Sequence, residues 1–169
     1  MIFIALGGNL DGVHGSVIAG FRQALSSLAD KGIVPVRSSH IYKSAPVGPP
    51  QPDYHNAVIR VRTCLAPEAV LQKMHDVEHE LGRYRREKWG PRTLDLDLID
   101  YHGRSLEQKL IIPHPRLADR AFVLLPLRDV CPGWRHPLTG QTVDQLLQRL
   151  PASAKMSILQ QNQRIPLAK

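Results

Sequence analysis

The chain has 169 residues, enough for one domain with a hydrophobic core and too few for two domains of ordinary size. Hydrophobic residues make up 43% and charged residues 22%, a globular composition that excludes a disordered or fibrous protein. Lys and Arg outnumber Asp and Glu by 22 to 15, and the formal charge of +7 favours an anionic partner: nucleic acid, a phosphorylated small molecule or an acidic membrane surface.

Periodicity and breaker residues divide the first part of the chain into regular elements. We predict a buried strand at 2–6, an amphipathic helix at 14–31, a second strand at 33–43, a Pro/Gly-rich loop at 44–53 and a third strand at 54–63. In the third strand Tyr54 and Asn56 share one face, because side chains alternate along a strand.

The second part continues the alternation of helices and strands. We predict a helix at 67–81, an exposed basic loop at 83–92, a fourth strand at 93–101, an apolar helix at 123–130, a last helix at 143–150 and a loose tail at 160–169. The order β-α-β-β-α-β predicts an α+β fold: a ferredoxin-like antiparallel sheet with helices packed on it and a C-terminal helical extension, in a single domain over 1–169.

The cellular location is predicted from what the sequence lacks. Cys64 and Cys131 lie far apart with no C-x-x-C or Cys/His metal pattern, so we expect free thiols in a cytoplasmic protein. The start of the chain lacks the basic residues and full apolar run of a signal peptide, and no run is long enough to span a membrane. We expect no membrane partner.

Two acids stand on one face of the fourth strand. Asp95 and Asp97 are two residues apart, so their alpha carbons should be about 6.5 to 7 Å apart, and Asp100 falls on the wrong face to be a third ligand. Two such carboxylates suit Mg²⁺ that also binds substrate phosphates, although an isolated D-x-D is more often a solvated strand surface. The alternatives stay open on spacing alone.

Basic residues precede the acid pair. Five of them lie within fifteen residues of it: Arg83, Arg85, Arg86, Lys88 and Arg92. Cations beside carboxylates suit a metal-bound polyphosphate, because phosphoryl transfer is catalysed mostly by positive charge around oxygens that gain negative charge. A charge run is also often only a solvated face. Gly7-Gly8-Asn9 after the first strand matches neither a P-loop nor a dinucleotide fingerprint.

The segment KWGPRTLDLDLI, residues 88–99, resembles the signature of the 6-hydroxymethyl-7,8-dihydropterin pyrophosphokinase family. Four further stretches resemble the family in the same order: LGGNL, SAPVGPPQPDYHNA, ELGRYR and IPHPRLADRAFVLLPL. The resemblance runs from about residue 3 to residue 130. It implies an enzyme of folate biosynthesis that transfers pyrophosphate from ATP to the hydroxymethyl group of a reduced pterin and releases AMP.

The resemblance also implies a role for particular residues. Two Mg²⁺ ions, arriving with ATP, would be held by Asp95 and Asp97, and the transfer chemistry would involve Arg83 and Arg92. ATP would be contacted by Arg85, Lys88, Trp89, Arg92, Leu98, Lys109, His114 and Arg120. The pterin would be bound by Ser44, Val47, Gly48, Tyr54, Asn56, Trp89, Asp95 and Phe122. Both substrates are small molecules, and we expect a monomer.

Departures from the best-known bacterial pattern concern ATP contacts. Pro115 stands where an aromatic ring can contact the nucleotide, Lys88 where arginine occurs in some members, and the arginine loop is one residue shorter than in some relatives. Lysine keeps the charge of arginine but loses its two-pronged geometry.

Two other functions compete with this interpretation. A nucleic-acid-binding module fits the charge and the predicted fold, but the sequence lacks the aromatic RNA-binding motif of such sheets, and aromatics are only 5%. A D-x-D sugar transferase would need an acceptor domain for which this chain has no room. We therefore expect no nucleic-acid partner.

Overall fold

We describe the protein from a computed structural model covering residues 1–46, 49–82, 90–107 and 110–167. Its strands are β1 (Ile2–Gly8), β2 (Val34–Ser38), β3 (His40–Ser44), β4 (Tyr54–Arg62), β5 (Asp95–Tyr101), β6 (Leu106–Glu107), β7 (Ile111–Ile112) and β8 (Ile158–Arg164). Its α-helices are α1 (Val17–Asp30), α2 (Pro67–Glu80), α3 (Ala121–Val130), α4 (Val143–Arg149) and α5 (Ala152–Met156), with a short 3₁₀ helix at Leu117–Asp119.

The strands form one six-stranded antiparallel sheet and a separate β6–β7 pair. The sheet order is β5-β1-β4-β3-β8, and β2 also pairs with β4 beside β3. The predicted antiparallel sheet with packed helices is confirmed. Strand β1 therefore lies between β5 and β4, and β5 is an edge strand with one side of its backbone facing away from the sheet.

Hydrophobic clusters lie on both faces of the sheet. A first core cluster joins α1 and α2 to one face, with Ile4 of β1 among its members. A second core cluster joins α3 and α4 to the opposite face, with Phe3 of β1 among its members. Adjacent residues of β1 thus serve opposite clusters, as the period of two in a strand requires. Burial of this apolar surface is the main stabilising contribution to the fold.

Capping residues and glycines set the helix bounds. The Ser16 hydroxyl accepts a hydrogen bond from Ala19 N at 3.3 Å, so α1 begins at Val17 rather than at the predicted residue 14. Gly32 adopts φ +81° after α1, a left-handed conformation that glycine reaches without strain. Pro67 occupies the first turn of α2, as predicted.

The prediction of one strand at 33–43 is wrong, because that segment forms two strands, β2 and β3, with the fully buried Ser39 between them. The predicted tail at 160–169 begins within β8, which pairs with β3, and Ile165 is 1% exposed. The glutamines of β8 hide its strand character from a search for apolar alternation, yet their backbone groups complete the hydrogen bonding of β3.

A β-bulge changes the direction of Asp100. Ile4 lies opposite Leu98 while Phe3 lies opposite Asp100, so β5 carries one extra residue. The prediction that Asp100 faces away from the side of Asp97 is therefore wrong. Its carboxylate accepts hydrogen bonds from Trp134 Nε1 at 2.7 Å, within the second core cluster, and from the backbone N–H of Gly103 at 2.8 Å.

The described helices include none that is both long and apolar enough to cross a membrane. Both cysteines are free thiols in the structure: Cys64 is exposed and Cys131 is partly buried.

Candidate active site

Predicted site residues meet at one end of the sheet, where β1, β4 and β5 lie side by side. Gly7 of β1 is opposite Asn56 of β4 on one side and Asp95 of β5 on the other. A methyl group at Gly7 would lie 3.8 Å from Asn56 Oδ1 and 3.9 Å from Asp95 Cβ. Since Gly7 has no side chain, the surface between the carboxamide and the carboxylate is open.

The acid pair has the alternation that the sequence predicts. The side chains of Asp95 and Asp97 are 24% and 39% exposed, whereas the intervening Leu96 is buried in the first core cluster. Arg92 Nη1 lies 2.7 Å from Asp95 Oδ2 and Arg120 Nη1 lies 3.8 Å from Asp97 Oδ2. Each carboxylate therefore lies beside a guanidinium group, and the two arginines come from different segments of the chain.

The Asp95–Asp97 pair suits some metal ions better than others. Among residues 1–46, 49–82, 90–107 and 110–167, no group of three or more His, Cys, Asp or Glu side chains could hold a metal ion. Mg²⁺ is usually held by one or two carboxylates together with substrate phosphates and waters, rather than by a full protein cage. The two half-exposed aspartates fit an ion that arrives with a nucleotide.

Beside Asp97 lies a small cleft with polar groups on an otherwise apolar wall. His114 and Arg120 line it with Asp97, and the remaining lining residues are Ala5, Ile99, Leu117 and Val123. Burial lowers the pKa of His114, and the positive charges of Arg120 and Arg116 lower it further against the opposing effect of Asp97. The ring is therefore neutral at neutral pH.

The hydrogen bond of His114 assigns its tautomer. Its Nδ1 accepts from the backbone N–H of Arg116 at 3.2 Å. A neutral imidazole with an accepting Nδ1 carries its proton on Nε2, so His114 can donate one hydrogen bond from that atom. Such a donor suits a phosphate or ribose oxygen.

Tyr54 and Asn56, with Ser44 opposite Tyr54, form the other half of the site. Asn56 is 6% exposed, and its Nδ2 donates to Ser44 Oγ at 2.9 Å and to the carbonyl of Tyr42 at 3.3 Å. These bonds fix the plane of the amide, whose Oδ1 faces the open surface at Gly7.

The Tyr54 hydroxyl connects two loops. Its oxygen lies 3.4 Å from Gln51 Oε1 and 3.4 Å from the carbonyl oxygen of Gly90, and its single proton can be donated to either acceptor. Burial raises the pKa of Tyr54, and Asp95 adds to that rise while Arg92 opposes it, so the phenol stays protonated at neutral pH.

Phe122 and Leu98 occupy different parts of the site. The Arg120 guanidinium lies 5.6 Å from the centre of the Phe122 ring, within the range of a cation–π contact. Leu98 is 4% exposed, with its side chain in the first core cluster. Because its side chain is buried, Leu98 could contact a ligand through its backbone, which belongs to the edge strand β5.

Seven of the predicted site residues lie outside the described residues. They are Val47, Gly48, Arg83, Arg85, Lys88, Trp89 and Lys109.

Two buried polar residues near the site were not predicted. Glu78 is 4% exposed and accepts a hydrogen bond from the backbone N–H of Leu96, between the two aspartates, at 2.7 Å. Asn9 is 5% exposed and bonds to the backbone of Arg92. An acid four residues after the buried Met74, and an amide directly after a buried strand, are the sequence signals that could have identified them.

Known proteins resemble this chain over most of its length. A family model described as 7,8-dihydro-6-hydroxymethylpterin-pyrophosphokinase (HPPK) matches residues 3–132. The 2-amino-4-hydroxy-6-hydroxymethyldihydropteridine pyrophosphokinase of Synechocystis is 45% identical over 153 residues, which are 89% of this chain and 76% of that protein. The enzyme of the same name from Bacillus subtilis is 38% identical over 85% of each chain. That from Haemophilus influenzae is 40% identical over 87% of this chain and 91% of its own.

A solved structure supports the same fold. Plasmodium falciparum HPPK-DHPS crystallised with pterin and p-hydroxybenzoate superposes with a TM-score of 0.69 at 15% identity, covering 94% of this chain. The chain spans 44% of that longer protein. At this identity the likeness concerns the fold alone.

Proposed function

The chain belongs to the 7,8-dihydro-6-hydroxymethylpterin-pyrophosphokinase family, and we propose that its active site is the end of the sheet where Asp95, Asp97 and Asn56 meet. The protein is an ATP-dependent pyrophosphokinase of folate synthesis, which transfers pyrophosphate from ATP to the hydroxymethyl group of 6-hydroxymethyl-7,8-dihydropterin. What remains to be assigned is the work of each side chain.

Asp95 and Asp97 would hold two Mg²⁺ ions with the β- and γ-phosphates. Bound Mg²⁺ neutralises phosphate charge and orients the transferred group. Arg92 and Arg120 lie against the same carboxylates. We propose that these guanidinium groups turn towards phosphate oxygens when nucleotide binds, which leaves the carboxylates to the metal.

The transfer itself is a displacement at phosphorus without a covalent enzyme intermediate. The pterin hydroxyl oxygen forms a bond to the β-phosphorus in line with the bond that breaks, between the β-phosphorus and the oxygen shared with the α-phosphate. AMP leaves with that oxygen, and the hydroxyl proton is released. Arg92 meets the negative charge that develops on the transferred oxygens, a contribution that acts mainly on the transition state.

The pterin would lie on the open surface at Gly7. The fixed amide of Asn56 can offer its Oδ1 to the edge of the heterocycle, and the rings of Tyr54 and Phe122 can stack on its faces. In this arrangement Asp95 is close to the hydroxymethyl group. We propose that Ser44 and the backbone at residues 47–48 complete the pterin contacts.

ATP would occupy the side of the site next to β5. His114 donates from Nε2, Arg120 supplies charge, and the Leu98 backbone at the edge of β5 can pair with the base. The contributions of Arg83, Arg85, Lys88, Trp89 and Lys109 stay predictions from the family resemblance. So do the monomeric state and the cytoplasmic location.

Topology supports a finer description of the fold. We propose that β5-β1-β4 with β2 and β3 beside β4 is a ferredoxin-like core whose second strand in chain order is divided into β2 and β3. The segment after α3 would then be an extension that adds α4, α5 and β8.

One observation carries the site assignment: strand register places Asn56 and Asp95 on either side of the bare Gly7. These residues are far apart in sequence and belong to strands that do not pair with each other. Transfer to a pterin requires a side chain that hydrogen-bonds the heterocycle, here Asn56, close to a carboxylate that can bind a metal ion, here Asp95.

The test is pterin- and Mg²⁺-dependent AMP formation. Asp97→Ala should reduce it at least about 10³-fold while leaving the melting temperature within about 2 °C, since a half-exposed strand acid contributes little to the core. Asp76→Ala, at a partly exposed acid of α2, is the matched control and should keep full activity. Full turnover by Asp97→Ala would refute the metal assignment.

A further inference from the structure

Asn9 is a buried polar residue at the end of β1 that has no part in the assignments above. Its Oδ1 accepts a hydrogen bond from Arg92 N at 2.8 Å. Its Nδ2 donates to Gln51 Oε1 at 3.0 Å and to the carbonyl of Pro52 at 2.9 Å. The backbone N–H groups of Asn9 and Leu10 both donate to the carbonyl of Arg92, at 2.9 and 3.2 Å.

This pattern demands an amide at position 9. A carboxamide offers an acceptor and two donors in one plane, and here the acceptor and both donors are used. Aspartate could accept from Arg92 N but could not donate to the carbonyl of Pro52. Alanine could do neither, and it would remove the partner of the Arg92 N–H and of the Pro52 carbonyl at a partly buried position.

The partners of Asn9 belong to the two halves of the site. Arg92 is three residues before Asp95 and pairs with it at 2.7 Å. Gln51 and Pro52 lead into Tyr54, whose hydroxyl also donates towards Gln51 Oε1. Asn9 directly follows β1, which lies between β4 and β5 in the sheet, so one side chain joins the segment before β4 and the segment before β5 to the strand between them.

We infer that Asn9 is a positioning residue, which fixes the position of Arg92 relative to the segment at Gln51 and Pro52 that leads into Tyr54. The inference rests on the proposed function, because it takes Arg92 to meet the transferred phosphate and Tyr54 to bind the pterin. Reaction rates depend steeply on such geometry: a misplacement of about 1 Å can cost about 10²-fold. Loss of Asn9 should therefore lower kcat far more than it raises the KM for ATP.

The first test is Asn9→Ala in the AMP-formation assay. We expect kcat to fall about 10²-fold with the KM for ATP within about threefold of wild type. Asn162→Ala, at an exposed asparagine of β8, is the matched control and should not change either constant. Thermal unfolding of each variant reports whether it is folded.

Combining Asn9→Ala with Arg92→Ala separates positioning from general support of the fold. If Asn9 acts through the Arg92 guanidinium, then Asn9→Ala should cost less than about threefold in kcat once that guanidinium is gone, because the two effects are not additive. A residue that merely stabilises the fold would cost the same factor in both backgrounds.

Asn9→Asp provides a second variant of the same shape. It keeps the acceptor for Arg92 N but places a carboxylate oxygen against the oxygens of Gln51 and Pro52. We expect a kcat above that of Asn9→Ala and a KM for pterin about tenfold above wild type. This comparison decides the question if Asn9→Ala does not fold.

The outcomes distinguish the inference from the function beneath it. A wild-type protein that forms no AMP with pterin and Mg²⁺ refutes the proposed function. An active wild type in which Asn9→Ala keeps its kcat, or loses the same factor with and without Arg92, overturns the positioning role alone. An Asn9→Asp variant with a wild-type KM for pterin would likewise overturn the link to Gln51 and Pro52.

Discussion

Gly8 allows the backbone before β5 to approach β1 closely, and Gly8→Ala should disturb both stability and catalysis. A Cβ at this position would lie 2.7 Å from the carbonyl oxygen of Thr93 and 3.1 Å from Val17 Cγ1. A carbonyl of the backbone cannot rotate away as a flexible side chain can. The chain at Thr93 must therefore retreat by at least about 0.3 Å to reach 3.0 Å, the shortest distance that real Cβ atoms show.

Two opposing effects set the expected loss of stability. Overpacking typically costs about 1 to 3 kcal/mol, whereas replacing glycine by alanine lowers the entropy of the unfolded chain and stabilises by about 0.4 to 1 kcal/mol. The cost of the clash should exceed the entropic gain, and the free energy of unfolding should fall by about 1 to 2 kcal/mol. For a chain of this size that corresponds to a melting temperature lower by roughly 2 to 8 °C.

The catalytic effect follows from where Thr93 lies. It stands between Arg92 and Asp95, so its retreat displaces the Arg92 guanidinium, the Asp95 carboxylate or both. Scaled from about 10²-fold per Å, a shift of about 0.3 Å predicts a loss in kcat of roughly fourfold. Differential scanning fluorimetry and AMP formation measure the two effects on the same sample.

Gly7→Ala is the matched control. Its Cβ would meet only ordinary contacts, at 3.8 Å from Asn56 Oδ1 and 3.9 Å from Asp95 Cβ, so the melting temperature should not fall. The methyl would instead occupy the proposed pterin surface and weaken pterin binding. Wild-type melting temperature and kcat in Gly8→Ala would refute the close approach of Thr93 on which this reasoning depends.

Two further predictions concern pterin binding and pH. Phe122→Ala should weaken pterin binding by about tenfold or more, as loss of aromatic stacking does, and titration calorimetry should show an unchanged ATP affinity. Leu138→Ala is the exposed control. An unchanged pterin affinity in Phe122→Ala would contradict the stacking role. Burial lowers the pKa of His136, against the effect of Asp100, and its Nδ1 accepts from the Leu138 N–H at 3.3 Å. The stabilising contribution of neutral His136 is fully present above the ordinary pKa of about 6.5 and is lost as pH falls through the lowered pKa of the folded state. Melting temperature should fall from pH 7 to pH 5 less steeply in His136→Gln than in the exposed control His75→Gln, and equal slopes would contradict it.

Local patterns in the sequence determined much of the site. The alternation of Asp95 and Asp97 with leucines placed both acids on one strand face, and Tyr54 with Asn56 followed from the same period of two. Pro67 marked a helix start. The long signature segment carried the resemblance to the family, and through it the reaction. Each of these features depends on neighbours within a few residues, so it can be recognised from the sequence without knowledge of the fold.

Tertiary structure alone decided which distant residues meet. Strand register set Asn56 and Asp95 on either side of Gly7, and register arises from hydrogen bonds between segments about 40 or more residues apart. The bulge that turns Asp100 towards Trp134 breaks the period of two on which the sequence argument depended. The role of Asn9 is likewise invisible locally, because its hydrogen-bond partners come from two separate loops that only the folded sheet brings together.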